Sequence, residues 1–226
     1  MPLPGESEVD KGIDPVATAA TKARYNRIAR FYDLIERISE RRFKPWREKL
    51  WAQAYGDILE VGVGTGKNFP YHPRHANVTG IDLADQMLMR AQERARRLGR
   101  SIDLREGDVQ ALEFPDNSFD TAAATFVFCS VPDPIRGLRE LNRVVKPGGK
   151  ILLLEHVRID HPIVGRVMDL LNPFLVRLLG ANVNRRTAEN VKRAGLEIES
   201  VEHLGPMRMV KLIVARPRKG GGKGIP

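Results

Sequence analysis

The feature that most constrains the fold of this chain is a glycine-rich turn directly behind a short apolar run. Residues 57–61 have the length and composition of a buried strand, and the sequence Glu60-Val-Gly-Val-Gly-Thr-Gly overlaps its end. Gly62, Gly64 and Gly66 let the backbone turn sharply and approach a ligand closely. The pattern predicts a ligand at the carboxyl end of this strand. The alternative is a tight strand-to-helix turn that binds nothing.

The spacing of the glycines excludes two familiar phosphate-binding motifs. A dinucleotide fingerprint would place its third glycine at position 67, where the chain has Lys67. A P-loop would continue with Gly-Lys-Ser/Thr, but Asn68 follows Lys67. The turn therefore belongs to neither class.

Short apolar runs alternate with helical segments after the turn, and a hairpin follows them. This order predicts an α/β fold with a mostly parallel sheet, one antiparallel edge and helices on both faces. Asp85 is expected to cap a helix, and the turn 147–149 to end the next one. Predicted strands occupy residues 57–61, 77–81, 102–105, 119–126, 150–155, 196–203 and 208–215, and predicted helices 85–98, 135–145 and 187–194.

The chain divides into four parts. A disordered arm (1–20) precedes two basic amphipathic helices (21–50), a main domain (51–215) and a flexible basic tail (216–226). Pro45 is expected to begin the second of the two helices. Apolar residues recur every three or four positions in the first helix, at Tyr25, Ile28, Tyr32, Ile35 and Ile38.

Positive charge is concentrated at the two ends of the chain. The net charge of +9 comprises +3 in residues 1–49, zero in residues 50–183 and +6 in residues 184–226. Basic ends favour an anionic partner such as lipid headgroups, nucleic acid or an acidic substrate. A solvated surface rich in arginine would give the same totals.

Composition and local pattern exclude several classes of protein. Cys129 is the single cysteine, so a disulfide framework and a cysteine-rich zinc site are impossible. No apolar run approaches the ~20 residues that span a bilayer. The N-terminal segment has no apolar core of a secretory signal, so a cytoplasmic location is expected.

Three further motifs follow predicted strands. Asp82 ends the second strand, where an acid can accept both hydroxyls of a ribose. Asp108 follows the third strand and can accept a hydrogen bond from an adenine amine, although Gly-Asp is also a common turn. Residues 125–128 (Thr-Phe-Val-Phe) end the fourth strand and, with Asp120, are expected to form the floor of the pocket, although such a run can also be plain core. In an open α/β sheet, the carboxyl ends of the strands form the ligand-binding crevice.

The ordered motifs E-x-G-x-G-x-G, G-I-D-L, G-D-V and P-G-G resemble the class I S-adenosylmethionine-dependent methyltransferases over about residues 57–215. The resemblance implies S-adenosyl-L-methionine as cofactor and a Rossmann-like seven-stranded sheet of order 3-2-1-4-5-7-6 with its last strand antiparallel. It implies that the glycines lie against the methionine part, Asp82 at the ribose, and Met87 and Asp108 at the adenine. The cofactor-binding residues that it suggests are Tyr32, Glu60, Gly62, Gly64, Gly66, Asn68, Asp82, Leu83, Met87, Asp108, Val109, Thr125 and Phe126.

A narrower resemblance lies ahead of the turn. Residues 25–33 (YNRIARFYD) are similar to the Y-D-x-x-A-x-x-Y-D opening of quinone-biosynthesis C-methyltransferases and soluble bacterial phosphatidylethanolamine N-methyltransferases. Asn26 departs from that pattern, which has Asp. Residues 68–71 (NFPY) and 155–157 (EHV) look more like the phospholipid group and its thiol-methylating relatives.

Two residues are catalytic candidates. His156 closes the fifth strand and could take a proton from an acceptor amine, or could be a structural histidine. Tyr25 could close over the cofactor or direct its ring and hydroxyl at a cationic amine, or could belong to the apolar stripe of a packed helix. The sequence has no clustered ligand set, so no metal is expected.

An apolar segment, residues 161–180, follows the fifth strand. Pro162 and Pro173 interrupt it, and it is too short to span a bilayer. Its composition suits a lid over an apolar acceptor or a surface that dips into lipid, and a self-burying helix is the alternative.

These features predict methyl transfer to a lipid, with the amine of phosphatidylethanolamine as acceptor. Alternatives are C- or O-methylation of a quinone precursor and S-methylation of a small thiol. A non-enzymatic RNA-binding module is disfavoured because only 6% of residues are aromatic, so no nucleic acid partner is expected.

Residues 21–40 are expected to dock reversibly on an anionic membrane through Arg24, Arg27, Arg30 and Arg37, with Ile28, Tyr32 and Ile35 facing the protein or the acyl boundary. The oligomeric state is left open.

Overall fold

The computed structural model describes residues 12–158, 165–166, 168–172, 182, 185–205 and 208–219, and only the backbone of residues 34–39. Within these residues a sheet of seven strands is flanked by helices. The elements are α1 (Pro15–Trp51), β1 (Asp57–Val61), a 3₁₀ turn (Phe69–Tyr71), β2 (Asn77–Asp82), α2 (Asp85–Arg97), β3 (Asp103–Glu106), β4 (Phe119–Thr125), α3 (Pro134–Val144), β5 (Val145–His156), α4 (Thr187–Arg193), β6 (Glu197–Leu204) and β7 (Val210–Arg216).

The sheet has the order that the family resemblance implies. Its strands run β3-β2-β1-β4-β5-β7-β6, and β7 is antiparallel to both of its neighbours. The chain proceeds from β1 to β2 and β3 on one side and to β4 and β5 on the other, so the strand order reverses between β1 and β4. Ligands bind at such a reversal, at the carboxyl ends of the strands.

The central strands are buried on both faces, as parallel strands covered by helices must be. Leu59 and Val61 pack on one side of the sheet with residues of α3 and α4. Ile58 points to the other side and packs with Leu50 and Trp51 at the C-terminal end of α1. Because side chains alternate along a strand, β1 anchors helices on both faces and fixes the position of the turn that follows it.

Helix α1 differs from the prediction at its start and in its middle. It begins at Pro15, because the Asp14 carboxylate accepts hydrogen bonds from the amides of Val16 and Ala17 at 2.9 and 3.1 Å. Residues 15–20 therefore belong to the helix and not to a disordered arm, while residues 1–11 lie outside the described residues.

The helix also continues through Pro45, so the prediction of two helices was wrong. The packing of Leu50 and Trp51 in the core offsets the backbone hydrogen bond that a proline removes.

Three smaller expectations were also wrong. Asp85 is the first residue of α2 rather than its cap, and the cap residue is Ala84. The segment 147–149 lies within β5, and α3 ends before it at Val144. Asp120 lies at the amino end of β4, where its side chain accepts from the Asp57 amide and the Lys146 ammonium, so it does not form the floor of a pocket at the carboxyl ends.

Most of the apolar segment 161–180 and of the tail lies outside the described residues. Within that segment Leu170 is 80% exposed and Leu171 is also exposed. In the described part of the chain no helix combines the length and apolar character needed to cross a membrane.

Candidate active site

A cavity lies at the carboxyl ends of β1, β2 and β4 and is covered by α1. Two residues of the glycine turn, Gly62 and Gly64, line it together with Asp82 and Asp108 from the ends of the neighbouring strands. Eleven of the predicted site residues line this cavity: Tyr25, Tyr32, Gly62, Gly64, Asp82, Leu83, Met87, Asp108, Val109, Thr125 and Phe126.

The glycines in the turn are required for two different reasons. Gly64 has a φ of +55°, and a Cβ there would meet no atom within 4 Å, so this residue leaves the backbone open to the cavity. Gly62 has a φ of +65°, and a Cβ there would lie 2.5 Å from Cγ2 of Val127. The turn therefore holds a left-handed backbone and also packs closely against the loop after β4.

Asp82 lines the cavity and is held there by two backbone amides. Its two carboxylate oxygens accept hydrogen bonds from the amides of Gly64 at 2.8 Å and Ala84 at 2.9 Å. Burial raises the pKa of the Asp82 carboxyl to about 6, although these two amides favour the charged form. The carboxylate is ionised at neutral pH and can accept further hydrogen bonds from a ligand's hydroxyl groups.

Asp108 depends on Gln110, a residue that the motifs did not identify. The Gln110 amide donates to one Asp108 oxygen and its Nε2 to the other, both at 2.9 Å. Gln110 is itself buried and accepts from the Asp133 amide. Asp108 is therefore fixed at the edge of the cavity where the resemblance places the adenine amine.

Helix α1 covers the cavity with aromatic side chains. Tyr25, Ile28 and Tyr32 pack against Met87 of α2, which is almost fully buried. The Tyr25 hydroxyl lies 2.7 Å from Oγ of Ser130. Burial raises the pKa of Tyr25 well above its usual value, so the phenol keeps its proton at neutral pH and does not serve as a general base.

Three predicted cofactor-binding residues lie outside the cavity lining. Glu60 is fully buried; Nδ2 of Asn68 donates to one of its oxygens at 2.6 Å, and Nε2 of His72 lies 2.8 Å from the other. Arg47 of α1 donates to Oδ1 of Asn68 at 2.6 Å. Gly66 faces the Phe69 ring, which a Cβ would meet at 2.4 Å. The hydrogen bonds of Arg47, Asn68 and Glu60 thus connect α1 to the strand that precedes the glycine turn.

His156 also lies outside the lining. Its ring stacks on Phe126 with the ring centroids 4.3 Å apart, and Phe43 of α1 covers it at 5.9 Å. Phe126 itself lines the cavity, so His156 supports the cavity wall through its contact with the Phe126 ring.

Several lining residues were missed by the sequence analysis. They belong to α1 and to the loop between β4 and α3. The general rule that ligands bind at the carboxyl ends of strands would have indicated that loop, but no motif identified its residues beyond Phe128. The missed residues include Thr21, Ser130, Val131 and Pro132.

Comparisons with known proteins agree with this geometry. A family model described as a methyltransferase domain matches residues 59–153. The phosphatidylethanolamine N-methyltransferase of Cereibacter sphaeroides is 41% identical over 107 residues, which are 46% of this chain and 53% of that protein. The ubiquinone/menaquinone biosynthesis C-methyltransferase of Bdellovibrio bacteriovorus is 32% identical over 145 residues, 61% of this chain and 62% of that protein. The chain therefore spans less than two thirds of the length of these two relatives.

A third relative is covered more fully. The demethylmenaquinone methyltransferase of Renibacterium salmoninarum is 32% identical over 189 residues, which are 80% of this chain and 74% of that protein. Among solved structures, the [4+2]-cyclase SpnF has a TM-score of 0.63 at 22% identity, covering 79% of this chain and 81% of that one. An S-adenosylmethionine-dependent methyltransferase from Mesorhizobium loti has a TM-score of 0.59 at 21% identity, covering 77% and 97%. At these identities the structures show the shared fold alone.

The cavity fits S-adenosylmethionine. The open backbone at Gly64 leaves room for the methionine part, the fixed Asp82 carboxylate offers acceptors for the ribose, and Met87 and Asp108 border the remaining space. Among the described residues no group of three or more histidine, cysteine or acidic side chains is placed to hold a metal ion.

The first prediction concerns the pH dependence of cofactor binding. Since protonation of Asp82 removes an acceptor, we expect S-adenosylhomocysteine to bind more weakly as the pH falls below about 6. The free energy of unfolding should change in the opposite direction. Because the pKa of Asp82 is about 6 in the native protein and 3.8 ordinarily, the native protein loses stability as the pH rises from about 4 to about 6. Calorimetry between pH 6.5 and 5 should show the dependence, and Asp82→Asn should abolish it in this range and weaken binding at pH 8 roughly tenfold. An unchanged affinity at pH 5 would contradict it.

The second prediction concerns Asn26, the residue that departs from the Y-D pattern. Its Nδ2 donates to Oδ1 of Asp85 at 2.7 Å and its Oδ1 accepts from the Gln86 amide at 3.1 Å, which joins α1 to α2. In Asn26→Asp two carboxylates would face each other, so we expect weaker S-adenosylhomocysteine binding than in the native protein at pH 8. The difference between the two proteins should shrink toward pH 4, as these carboxylates gain protons. Asn77→Asp is the matched control, because Asn77 bonds to Asp57 in the same way but away from the cavity. Equal loss of affinity in both variants would contradict the prediction.

Proposed function

This chain belongs to the S-adenosylmethionine-dependent methyltransferases, and we propose that it transfers the methyl group to a lipid amine, that of phosphatidylethanolamine. The observation that carries the proposal is the outer face of α1. The helix that covers the cofactor cavity exposes Arg27 and Arg30, and Phe31 beside them is 48% exposed with the Arg30 guanidinium 4.5 Å from its ring centroid. A basic and apolar surface thus lies directly over the site.

The sulfonium of the cofactor supplies an already activated methyl group, so the protein mainly aligns the acceptor and excludes water. The residues around the cavity suit these two tasks. Tyr25 of α1 and Met87 of α2 line the cavity, and Ser130 holds the Tyr25 hydroxyl in place. Because Tyr25 keeps its proton, it can orient an amine by accepting a hydrogen bond but does not remove the amine's proton.

A phospholipid acceptor remains in its bilayer, because each buried CH₂ holds it there by ~0.8 kcal/mol. The enzyme must therefore reach the membrane surface. In α1, Ile28 and Tyr32 pack against a buried cluster of the protein, and Arg27 and Arg30 are exposed. The side chains of Ile35 and Arg37 lie outside the described residues. Binding through arginines would be reversible and screened by salt.

A second candidate is C-methylation of a quinone precursor. The demethylmenaquinone methyltransferase of Renibacterium salmoninarum aligns with 80% of this chain, a longer match than the phospholipid enzyme gives. The stacked rings of Phe126 and His156 beside the cavity would suit a planar acceptor.

The third prediction separates the two acceptors. Vesicles of phosphatidylglycerol containing either phosphatidylethanolamine or a demethylated quinone should be incubated with the full chain and methyl-labelled S-adenosylmethionine. We expect label in the phosphatidylethanolamine fraction, and none with Gly64→Val, whose side chain would occupy the cofactor space. Label in the quinone alone would overturn the lipid-amine proposal and support the second candidate.

The fourth prediction concerns the docking face. Arg27→Glu with Arg30→Glu should reduce flotation on phosphatidylglycerol vesicles at low salt more than tenfold, because each basic residue at such a surface contributes about 1 kcal/mol. The matched control is Lys192→Glu with Arg193→Glu in α4, which packs on the opposite face of the sheet from the C-terminal end of α1. If both double variants float equally, α1 is not the docking element, and the segment 161–180 becomes the next candidate.

A further inference from the structure

The loop between β4 and α3 forms a wall of the cofactor cavity in an unusual backbone conformation. Phe126 begins the loop with a φ of +59°, a left-handed value that residues other than glycine rarely adopt. The loop then supplies Val127, Ser130 and Val131 to the lining. A strained segment of this kind persists only when surrounding groups hold it in place.

A buried carboxylate holds the loop from one side. Glu155 is fully buried near the end of β5, and its Oε1 accepts hydrogen bonds from the amides of Val127 at 2.9 Å and Phe128 at 3.1 Å. The Phe126 amide donates to the Leu154 carbonyl at 2.8 Å, which is the last backbone bond between the two strands. The carboxylate thus replaces the backbone partners that the loop loses where it leaves β4.

Two further residues hold the loop. Asn182 donates to the Cys129 carbonyl through its backbone N–H at 2.8 Å and through its side-chain Nδ2 at 3.0 Å. Arg185 donates to the Val131 carbonyl at 2.9 Å. Glu155, Asn182 and Arg185 therefore support the loop, and all three lie outside the lining of the cavity.

The second carboxylate oxygen of Glu155 makes no hydrogen bond to the described part of the chain that would explain why this residue is an acid. Oε2 is buried and has no hydrogen-bond partner among the described residues. A neutral glutamine would offer the two amides a carbonyl without burying a charge, although its NH2 group would then be unpaired in place of Oε2. The acid therefore provides something beyond architecture, namely a charge-assisted hold on the two amides, which is roughly twice as strong as a neutral one.

We propose that Glu155 is a positioning residue for methyl transfer, whose ionised carboxylate keeps the loop from Phe126 to Val131 in the shape that completes the cofactor cavity. The proposal rests on cofactor binding and is independent of which acceptor is methylated.

The loop can transmit the effect to both sides of the cavity. Val127 fills the space that a side chain at Gly62 would occupy, so a shift of the loop disturbs the glycine turn. Ser130 bonds to the Tyr25 hydroxyl at 2.7 Å, so the same shift releases a contact to α1. Loss of the carboxylate's hold should therefore weaken cofactor binding without unfolding the domain.

The sign of the pH dependence follows from the surroundings of Glu155. Burial raises the pKa of the Glu155 carboxyl to about 7, while the three loop amides and Arg185 favour its charged form. Cys129, which also faces it, keeps its proton because burial raises its pKa to about 12. Cofactor affinity should then fall as the pH decreases from 8 to 6.5. Folding stability should change oppositely, because the native carboxyl binds a proton more tightly than the unfolded one.

Glu155→Gln separates positioning from a structural role. We expect its melting temperature at pH 8 to stay close to that of the native protein, because removing the buried charge offsets the unpaired NH2 group of the glutamine. We expect its dissociation constant for S-adenosylhomocysteine at pH 8 to rise about fivefold, as when a charged hydrogen bond becomes a neutral one, and to stay constant from pH 8 to 6.5. The matched control is Glu140→Gln, whose carboxylate accepts the Leu112 amide at 2.8 Å outside the cavity; it should keep both the affinity and the pH profile.

Two results would overturn the proposal. Native-like affinity with a native pH profile in Glu155→Gln would show that the carboxylate does not position the loop, and a loss of affinity that accompanies a matching loss of thermal stability would show a structural role alone. A measurement on the native protein covers the case in which the variant fails to fold. Calorimetry at pH 7.5 in buffers of different ionisation enthalpy should detect proton release on S-adenosylhomocysteine binding, and no release would also overturn the proposal.

Discussion

A buried carboxylate in the central strand determines how the covering helix sits on the domain. Glu60 is fully buried in β1, where an unpaired charge would be strongly unfavourable, and Asn68 and His72 satisfy its two oxygens. Arg47 completes the network from α1. Because each member would leave a buried polar partner unsatisfied if it moved, the network fixes α1 relative to the glycine turn, and with it the tyrosines that close the cavity.

The sheet and the centre of the site could be predicted because they depend on local sequence. The glycine turn and Asp82 follow their strands directly, and the strands place them together. Glu60 and Asn68 could not be placed correctly, because a motif gives order along the chain but not the direction of a buried side chain. The roles of Ser130 and Glu155 were missed for a related reason: their partners, Tyr25 and Val127, lie far away in sequence. The early start of α1 was readable from Asp14-Pro15, a standard helix-capping pair.

The fold alone does not determine the reaction. A [4+2]-cyclase shares this architecture with methyltransferases, so the sheet provides a place for the cofactor and little information about the acceptor. The basic face of α1, on which the lipid-amine proposal rests, lies outside residues 59–153 that the family model matches.

The position of β7 between β5 and β6 has a consequence for biosynthesis. Within the described residues β6 pairs only with β7, so it has no neighbour in the sheet while the ribosome is still making the residues after it. The buried face beneath α1 also includes Leu212 and Val214 of β7, so the packing of α1 is incomplete until β7 has been synthesised. Contacts between such distant parts of a chain form slowly, and the exposed edge of β5 meanwhile offers a surface on which chaperones can act.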